Sequence, residues 1–306
     1  MNITFRQLRL FLALADSGSV TGAAKALHVT QPTASMQLKE IGAAVGLPLY
    51  DLVARRVRLT EAGRDLARTA RRMLAEWEAF EQRVDGARGL TQGRLRVSVV
   101  STAKYFVPRM IGDFCRTHPG VDVALEVQNR DGVVARLRDN LDDLYIMSMP
   151  PVDLSLEDRV FLDNPLVVIA PADDPLARRP AVALRDLAER RFILREPGSG
   201  TRMATDRHFR RMRFHPDIRM ELGSNEAIRE SVAGGLGVGV LSRHALRGTA
   251  RGDGVAILDV KGFPIASRWH VVHPKGRQLS PVAEAFRTHL LESLRERPAR
   301  GAPNRA

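Results

Sequence analysis

The chain has a single cysteine, Cys115, in 306 residues. No intrachain disulfide can form, and a reducing cytoplasm is the simplest setting. No apolar run reaches the ~20 residues that cross a bilayer, so no membrane partner is expected. The opening stretch "MNITFRQLRLFLALA" is apolar, but Arg6 and Arg9 interrupt it at helical spacing. It reads as an amphipathic helix, not a signal peptide. The eight histidines show no metal-ligand spacing. "GSGT" at 198–201 lacks the Walker lysine, "GSG" is not a nucleophile elbow, and no base is placed beside Ser199. "GGLGVG" at 234–239 does not open a helix after a strand and reads as a tight helix-to-strand turn. With no catalytic set, an enzyme is disfavoured. Acidic residues are also scarce: 35 Asp+Glu face 47 Lys+Arg, a formal charge of +12. That balance favours a polyanionic partner.

What is present begins with apolar periodicity. Phe5, Leu8, Phe11, Leu12 and Ala15 form one helical stripe, closed by Gly18. Val20, Ala23, Ala24 and Leu27 repeat the pattern after Ser19, an N-cap residue type. His28 and Val29 break it. Thr30 then caps a third helix with Pro32 in its first turn, where the missing N–H costs nothing. On a helical wheel Ala34, Leu38, Ile41 and Val45 share the core face. Pro32, Met36, Lys39 and Glu40 lie opposite, flanked by Thr33, with Gln31 and Ser35 on one shoulder. This is a helix-turn-helix pattern, although an ordinary three-helix bundle fits the same wheel. "LPLYDLVARRVRLTEAG" adds two short β-prone pieces around Arg55, Arg56 and Arg58. They read as a wing with a basic tip, or as a solvated charge run.

From Arg64 to Asp85 the chain has no breaker. Leu66, Ala70, Met73, Trp77, Phe80 and Val84 follow a heptad seam. The seam packs on its own chain or dimerises; a dimer suits a palindromic DNA site. "GARGLTQGRL" is a hinge by composition. Thereafter strands and helices alternate, so a parallel, doubly wound sheet is expected in two lobes with the chain crossing between them. Ligands bind such folds at the strand carboxyl ends. Three strand-to-helix turns suit an anion there: "VSTAK" with Ser101 and Thr102; "REPGSGTR" with Gly198, Ser199, Gly200 and Thr201 beside Arg195 and Arg202; and "GSNEA" with Ser224 and Asn225. Each also fits plain helix capping. The tail "RERPARGAPNRA" is rich in Pro, Gly and Arg and is expected to be disordered.

These residues resemble the LysR-type transcriptional regulators, over the chain to about residue 294. The resemblance rests on "FRQLRLFLALADSGSVTGAAKALHVTQPTASMQLKEIGAAVGLPLY", "RRVRLTEAG" and the two-lobed region. "STAKYF", "DDLYI", "NPLVVIAPADDPLA", "ILREPGSGTR" and "MELGSNEAI" are similar to the regulators of Calvin-cycle (RuBisCO) operons. The resemblance implies an α+β multidomain chain. A winged helix-turn-helix at 1–60 precedes a dimerising linker helix at 61–88 and a hinge at 89–93. A periplasmic-binding-protein-like α/β effector domain follows at 94–294, with lobe I at about 94–164 plus 266–294, lobe II at about 165–265, and a disordered tail at 295–306.

It further implies a homotetramer, or dimer of dimers, on an inverted-repeat operator, contact with RNA polymerase, autogenous control, and no cofactor. A small anionic co-inducer, a phosphorylated metabolite or NADPH, would alter DNA bending. DNA contacts carry over to Gln31, Pro32, Thr33, Ser35 and Met36, joined by Thr30, Lys39, Arg55, Arg56 and Arg58 from the reading above. Effector contacts carry over to Ser101, Thr102, Asn129, Arg130, Glu196, Ser199, Thr201, Arg202 and Asn225. The chain departs from the family at Gly42 in the recognition helix, at "YDLVARR" before the wing, and at Met147 and Met149 in "YIMSMPP". A small-molecule binding protein whose N-terminal bundle only oligomerises is the rival of another class; it predicts no sequence-selective DNA binding.

Overall fold

The computed structural model describes residues 2–53, 56–87, 92–246 and 254–292. The chain divides into an N-terminal unit and a larger C-terminal one near residue 88.

In the N-terminal unit, α1 (Phe5–Ser17) opens on a capping box in which Thr4 and Gln7 satisfy each other's backbone N–H groups. Gly18 ends it in the left-handed conformation. α2 (Val20–Ala26) starts on Ser19, which accepts from Gly22 N–H. A Cβ at Gly22 would lie 2.7 Å from that of Ser17, so the tight α1–α2 corner needs a glycine. α3 is Gln31–Val45. Leu10, Phe11, Leu14, Ala23, Ala24, Ala34, Leu38 and Ile41 are buried together. Phe5, expected in this core, is partly exposed; it sits at the first turn, beyond the α1–α2–α3 contact, and its ring packs on Trp77 instead (centroids 5.5 Å apart).

β1 (Tyr50–Val53) and β2 (Arg56–Leu59) pair antiparallel, with Val53 opposite Arg56. Arg55 lies outside the described residues. α4 (Glu61–Ala87) follows, with Thr60 accepting from Gly63 N–H. Gly63 is required: a Cβ there would be 1.8 Å from the Leu49 carbonyl oxygen. The apolar seam of α4 splits in two. Ala70 and Leu74 are buried against Leu8, whereas Met73, Trp77 and Phe80 are 47%, 41% and 47% exposed.

The C-terminal unit holds two five-stranded sheets. The first has the order β4 (Val121–Gln128), β3 (Gly93–Val100), β5 (Leu144–Met147), β12 (Arg268–Pro274), β6 (Leu156–Asp163). The second has the order β11 (Val255–Leu258), β7 (Leu166–Pro171), β10 (Val238–Ser242), β8 (Arg191–Arg195), β9 (Asp217–Leu222). α5 (Val107–Thr117), α6 (Arg130–Arg138) and α9 (Pro281–Glu292) belong to the first lobe, α7 (Gly200–Arg211) and α8 (Asn225–Ala233) to the second.

Neither sheet is purely parallel, contrary to the expectation. β12 runs antiparallel to both β5 and β6, and β7 antiparallel to both β10 and β11. The reason is topological: each lobe is completed by a strand arriving from the other, and a returning strand need not keep the βαβ direction. The segment "AKYFVPRMIGDFCRTH" forms a 3₁₀ turn at Ala103–Tyr105, then α5. Pro108 lies in the first turn of α5, and proline opens a helix more readily than it continues one.

The chain crosses between lobes twice, and the two crossings bond to each other. Leu166 and Ile265 exchange N–H···O=C bonds of 3.0 and 2.8 Å, and Asn164 N–H donates to Ser267 O. "GGLGVG" is the α8-to-β10 turn, as its spacing suggested. A Cβ at Gly237 would be 2.1 Å from the Arg191 carbonyl oxygen.

Candidate functional site

Two surfaces collect the chemistry. In the N-terminal unit, Thr30 begins α3; its hydroxyl accepts from Thr33 N–H and lies 2.8 Å from the Thr33 hydroxyl. The cap fixes the first turn and leaves Gln31, Pro32, Ser35, Met36 and Lys39 exposed, with Thr33 half-buried. Met36 is 56% exposed, so it does not pack away against the wing. Glu40 is held by the Gln7 amide. Arg56 and Arg58 project from the exposed face of β2, while Val57 and Leu59 turn inward. Val57 N–H donates to Gly18 O, which ties the wing to the end of α1. Among the described residues, Gln31, Ser35, Lys39, Arg56 and Arg58 have no side-chain partner. An exposed helix N-terminus with free amide, hydroxyl and cationic groups beside a basic hairpin suits the edge and backbone of a DNA groove.

In the C-terminal unit the polar groups are buried and paired. Arg195, at the end of β8, is 2% exposed. All five of its N–H donors are used. Two go to the Glu196 carboxylate (2.8 and 3.0 Å), one to Asn225 Oδ1 (2.9 Å), one to Thr102 Oγ1 (3.4 Å) and one to Ser101 Oγ (3.1 Å). Asn225 Nδ2 also donates to Thr102 Oγ1. The network joins the lobes, since Ser101 and Thr102 follow β3. Lys104 and Glu226 add an ion pair between lobes at 3.0 Å. Burial raises the Glu226 pKa, but hydrogen bonds from Ser224 and Lys104 outweigh it and hold the group down at about 2.

Beside this network lies a cavity of about 10 Å³, room for roughly one water. Its wall includes Thr102, Arg130, Ser148, Arg195, Ser199, Thr201 and Trp269. No carboxylate lines it. Gly200 opens α7 at this wall, and Ser199 at the N-cap makes no side-chain bond to the first turn, so that turn keeps its N–H groups for another acceptor. A Cβ on Gly200 would lie 2.8 Å from Ser148 Oγ. Arg130 reaches the Met149 carbonyl oxygen with Nε (2.7 Å). The indole of Trp269 is fully buried, and its Nε1 is without a partner among the described residues.

Of the residues expected from sequence, Ser101, Thr102, Arg130, Ser199 and Thr201 meet at this cavity, and Glu196 and Asn225 reach it through Arg195. Two stand elsewhere. Asn129 caps α6, accepting from Gly132 N–H. Arg202 turns to Asp206 and Glu221 and donates to the Arg195 carbonyl, because those carboxylates lie on its side of α7. Met147 is in the first-lobe core, and Met149 contributes its carbonyl to Arg130. Sequence reading placed Arg195 only alongside the turn, and missed Ser148 and Trp269; an arginine closing an apolar strand was the one available signal.

Residues 5–64 match the bacterial regulatory helix-turn-helix protein, lysR family, and residues 88–295 match the LysR substrate binding domain. The HTH-type transcriptional activator CmpR of Synechocystis sp. is 40% identical over 289 residues, covering 94% of this chain and 95% of its own. The RuBisCO operon transcriptional regulator of Acidithiobacillus ferrooxidans is 43% identical over 287 residues, covering 94% and 93%. The regulatory domain of Synechocystis PCC6803 CcmR, solved in complex with 2-PG, is 45% identical. It aligns with a TM-score of 0.66 over 68% of this chain and all of its own. No helix among the described residues is long and apolar enough to cross a membrane. A winged helix-turn-helix, a long helix and two crossing lobes thus occur in one chain with these matches, and the chain belongs to the LysR family of DNA-binding transcriptional regulators, which are not enzymes.

Proposed function

We propose that this regulator controls carbon-fixation genes in response to a small phosphorylated carboxylate of the 2-phosphoglycolate type, bound in the cleft. The observation that carries the reading is the wall of the closed cavity. Two guanidinium groups, Arg130 and Arg195, converge there with the hydroxyls of Thr102, Ser148, Ser199 and Thr201, and with no carboxylate. Such a set complements a small, multiply charged anion. Because Arg195 is already saturated, the effector enters by exchange. It takes donors from Glu196, Asn225 and the Ser101–Thr102 turn, and so changes what holds the lobes together.

DNA contacts are assigned to Thr30, Gln31, Pro32, Thr33, Ser35, Met36 and Lys39 of the recognition helix and to Arg55, Arg56 and Arg58 of the wing. The exposed Met73, Trp77 and Phe80 are the dimerising seam, since a helical face this apolar is costly to leave in water. A dimer of dimers, contact with RNA polymerase and a cytoplasmic location follow from the family. The domain limits are those read from sequence.

The test is calorimetric titration of the full chain with 2-phosphoglycolate, glycolate and inorganic phosphate, followed by gel shifts on DNA upstream of the divergent neighbouring gene. Tight binding of 2-phosphoglycolate alone, with an altered footprint, is expected. Absence of binding at millimolar 2-phosphoglycolate would sink the ligand assignment.

A further inference from the structure

A second cavity, of about 430 Å³, opens in the C-terminal unit away from the Arg195 network. It is in the size range of small-molecule sites as it stands, with no rearrangement. One wall is a single face of α7: Ala204, Arg207, His208 and Arg211, at i, i+3, i+4 and i+7. The other is the second crossing segment, from Ile265 to Arg268, with Met149 and His270 of the first lobe at the margin.

Three arginines, Arg207, Arg211 and Arg268, converge on this one cavity. Some arginines of the unit find acids: Arg191 pairs with Asp217, Arg179 with Asp186, and the half-buried Arg202 with two carboxylates. Arg207 and Arg268 have no partner among the described residues. Arg211 donates only to Nδ1 of His208, at 3.2 Å. That imidazole is 4% exposed, its Nε2 is unpartnered, and burial and Arg211 both lower its pKa, so it does not compete as a cation. No Asp or Glu lines the cavity; Asp158, which reaches a lining residue, is engaged by His270 Nδ1 at 2.6 Å. Basic residues late in a helix complement its dipole, which accounts for Arg211. It does not account for Arg268, which begins a strand. Between the arginines the lining is apolar, from Ala204, Ile265 and Ala266.

We propose that this cavity is a second small-molecule site, whose ligand is an amphipathic anion: an apolar body of one or two rings carrying a sulfonate, carboxylate or phosphate. The arginines take the charged group and the Ala–Ile floor takes the body. The site is independent of the cleft, yet both use α7, the cleft its first turn and this cavity its last two.

The probe is 8-anilinonaphthalene-1-sulfonate, titrated into the full-length chain by fluorescence, with stoichiometry from calorimetry. One saturable site per chain is expected. Arg207→Gln combined with Arg268→Gln weakens it at least tenfold, while Thr102→Val in the cleft leaves it unchanged. Both arginines are exposed, and an unchanged melting temperature confirms that the double variant is folded. Dye affinity equal in the double variant and the parent overturns the proposal, as does loss of binding in Thr102→Val or the absence of a saturable site. The first of these places the dye on other apolar surface, such as the Trp77 face.

Discussion

Helix α3 with its wing and the cleft around Arg195 hold similar polar side chains in opposite states. On α3 and the wing, Gln31, Ser35, Lys39, Arg56 and Arg58 are exposed and have no side-chain partner among the described residues. In the cleft, Arg195 is buried with every donor used, and Asn225 and Thr102 bond to each other as well. The difference follows from the partners. A DNA duplex is a rigid polyanion that docks from outside, so its reader keeps groups free in water, where solvent satisfies them at little cost. A small ligand enters an interior, where an unmet donor costs about 1–3 kcal/mol. The donors of Arg195 are accordingly all met from within the chain, and on the proposed reading a ligand binds by exchanging partners with them.

The largest expected effect is at Arg195. Arg195→Ala strips Glu196 and Asn225 of their partner. It should lower stability by about 2–3 kcal/mol and abolish 2-phosphoglycolate binding, as read by thermal denaturation and calorimetry. Unaltered ligand affinity would break the exchange picture. Next come the exposed groups. Gln31→Ala should cost about 1–3 kcal/mol on the operator and almost nothing on random DNA. Arg56→Ala should weaken both alike and reduce the slope of log affinity against log salt by about 0.9. Fluorescence anisotropy at several salt concentrations separates the two; matching profiles would remove the division between reading and anchoring.

Trp269→Phe is a subtler probe of the interior. It keeps the ring and removes a fully buried cleft donor that has no partner among the described residues. Ligand affinity should fall by about 1 kcal/mol, while the ligand-free chain melts no earlier than the parent. A lower melting temperature with intact affinity would make Trp269 a packing residue only. The smallest effect is at Gly42, where an added Cβ meets nothing within 4 Å. Gly42→Ala should stabilise the N-terminal unit by up to about 1 kcal/mol and leave DNA affinity unchanged. A loss of DNA binding would show that α3 needs to bend there.

The same contrast explains what was legible in the sequence. Helices α1 to α4 announce themselves because their apolar positions repeat every three or four residues, and Gly18, Ser19 and Thr30 mark local ends and caps. Exposed groups on α3 follow from the same wheel. The cleft is different. Its residues come from the ends of β3, β5 and β8, the start of α6 and the return strand β12, so no local spacing brings Trp269 to Ser148. Strand direction was hidden for a related reason: β6, "LEDRVFLD", has half of its residues exposed, and nothing in its pattern encodes pairing with β12. Arg202 and Asn129 looked equivalent to their neighbours by position. Which side of a helix an arginine leaves by, and whether an asparagine is used as a cap, depend on tertiary partners.

The paired crossings between the lobes have a mechanical consequence. Two short segments joined by the Leu166–Ile265 bonds form a narrow ribbon. A ribbon twists and flexes about its long axis with little loss of hydrogen bonding, whereas sliding one lobe along the other would break both bonds at once. Of the two motions, rotation about the ribbon is the one its hydrogen bonds resist least. Whatever molecule exchanges partners with Arg195, the protein can report its presence as an angle.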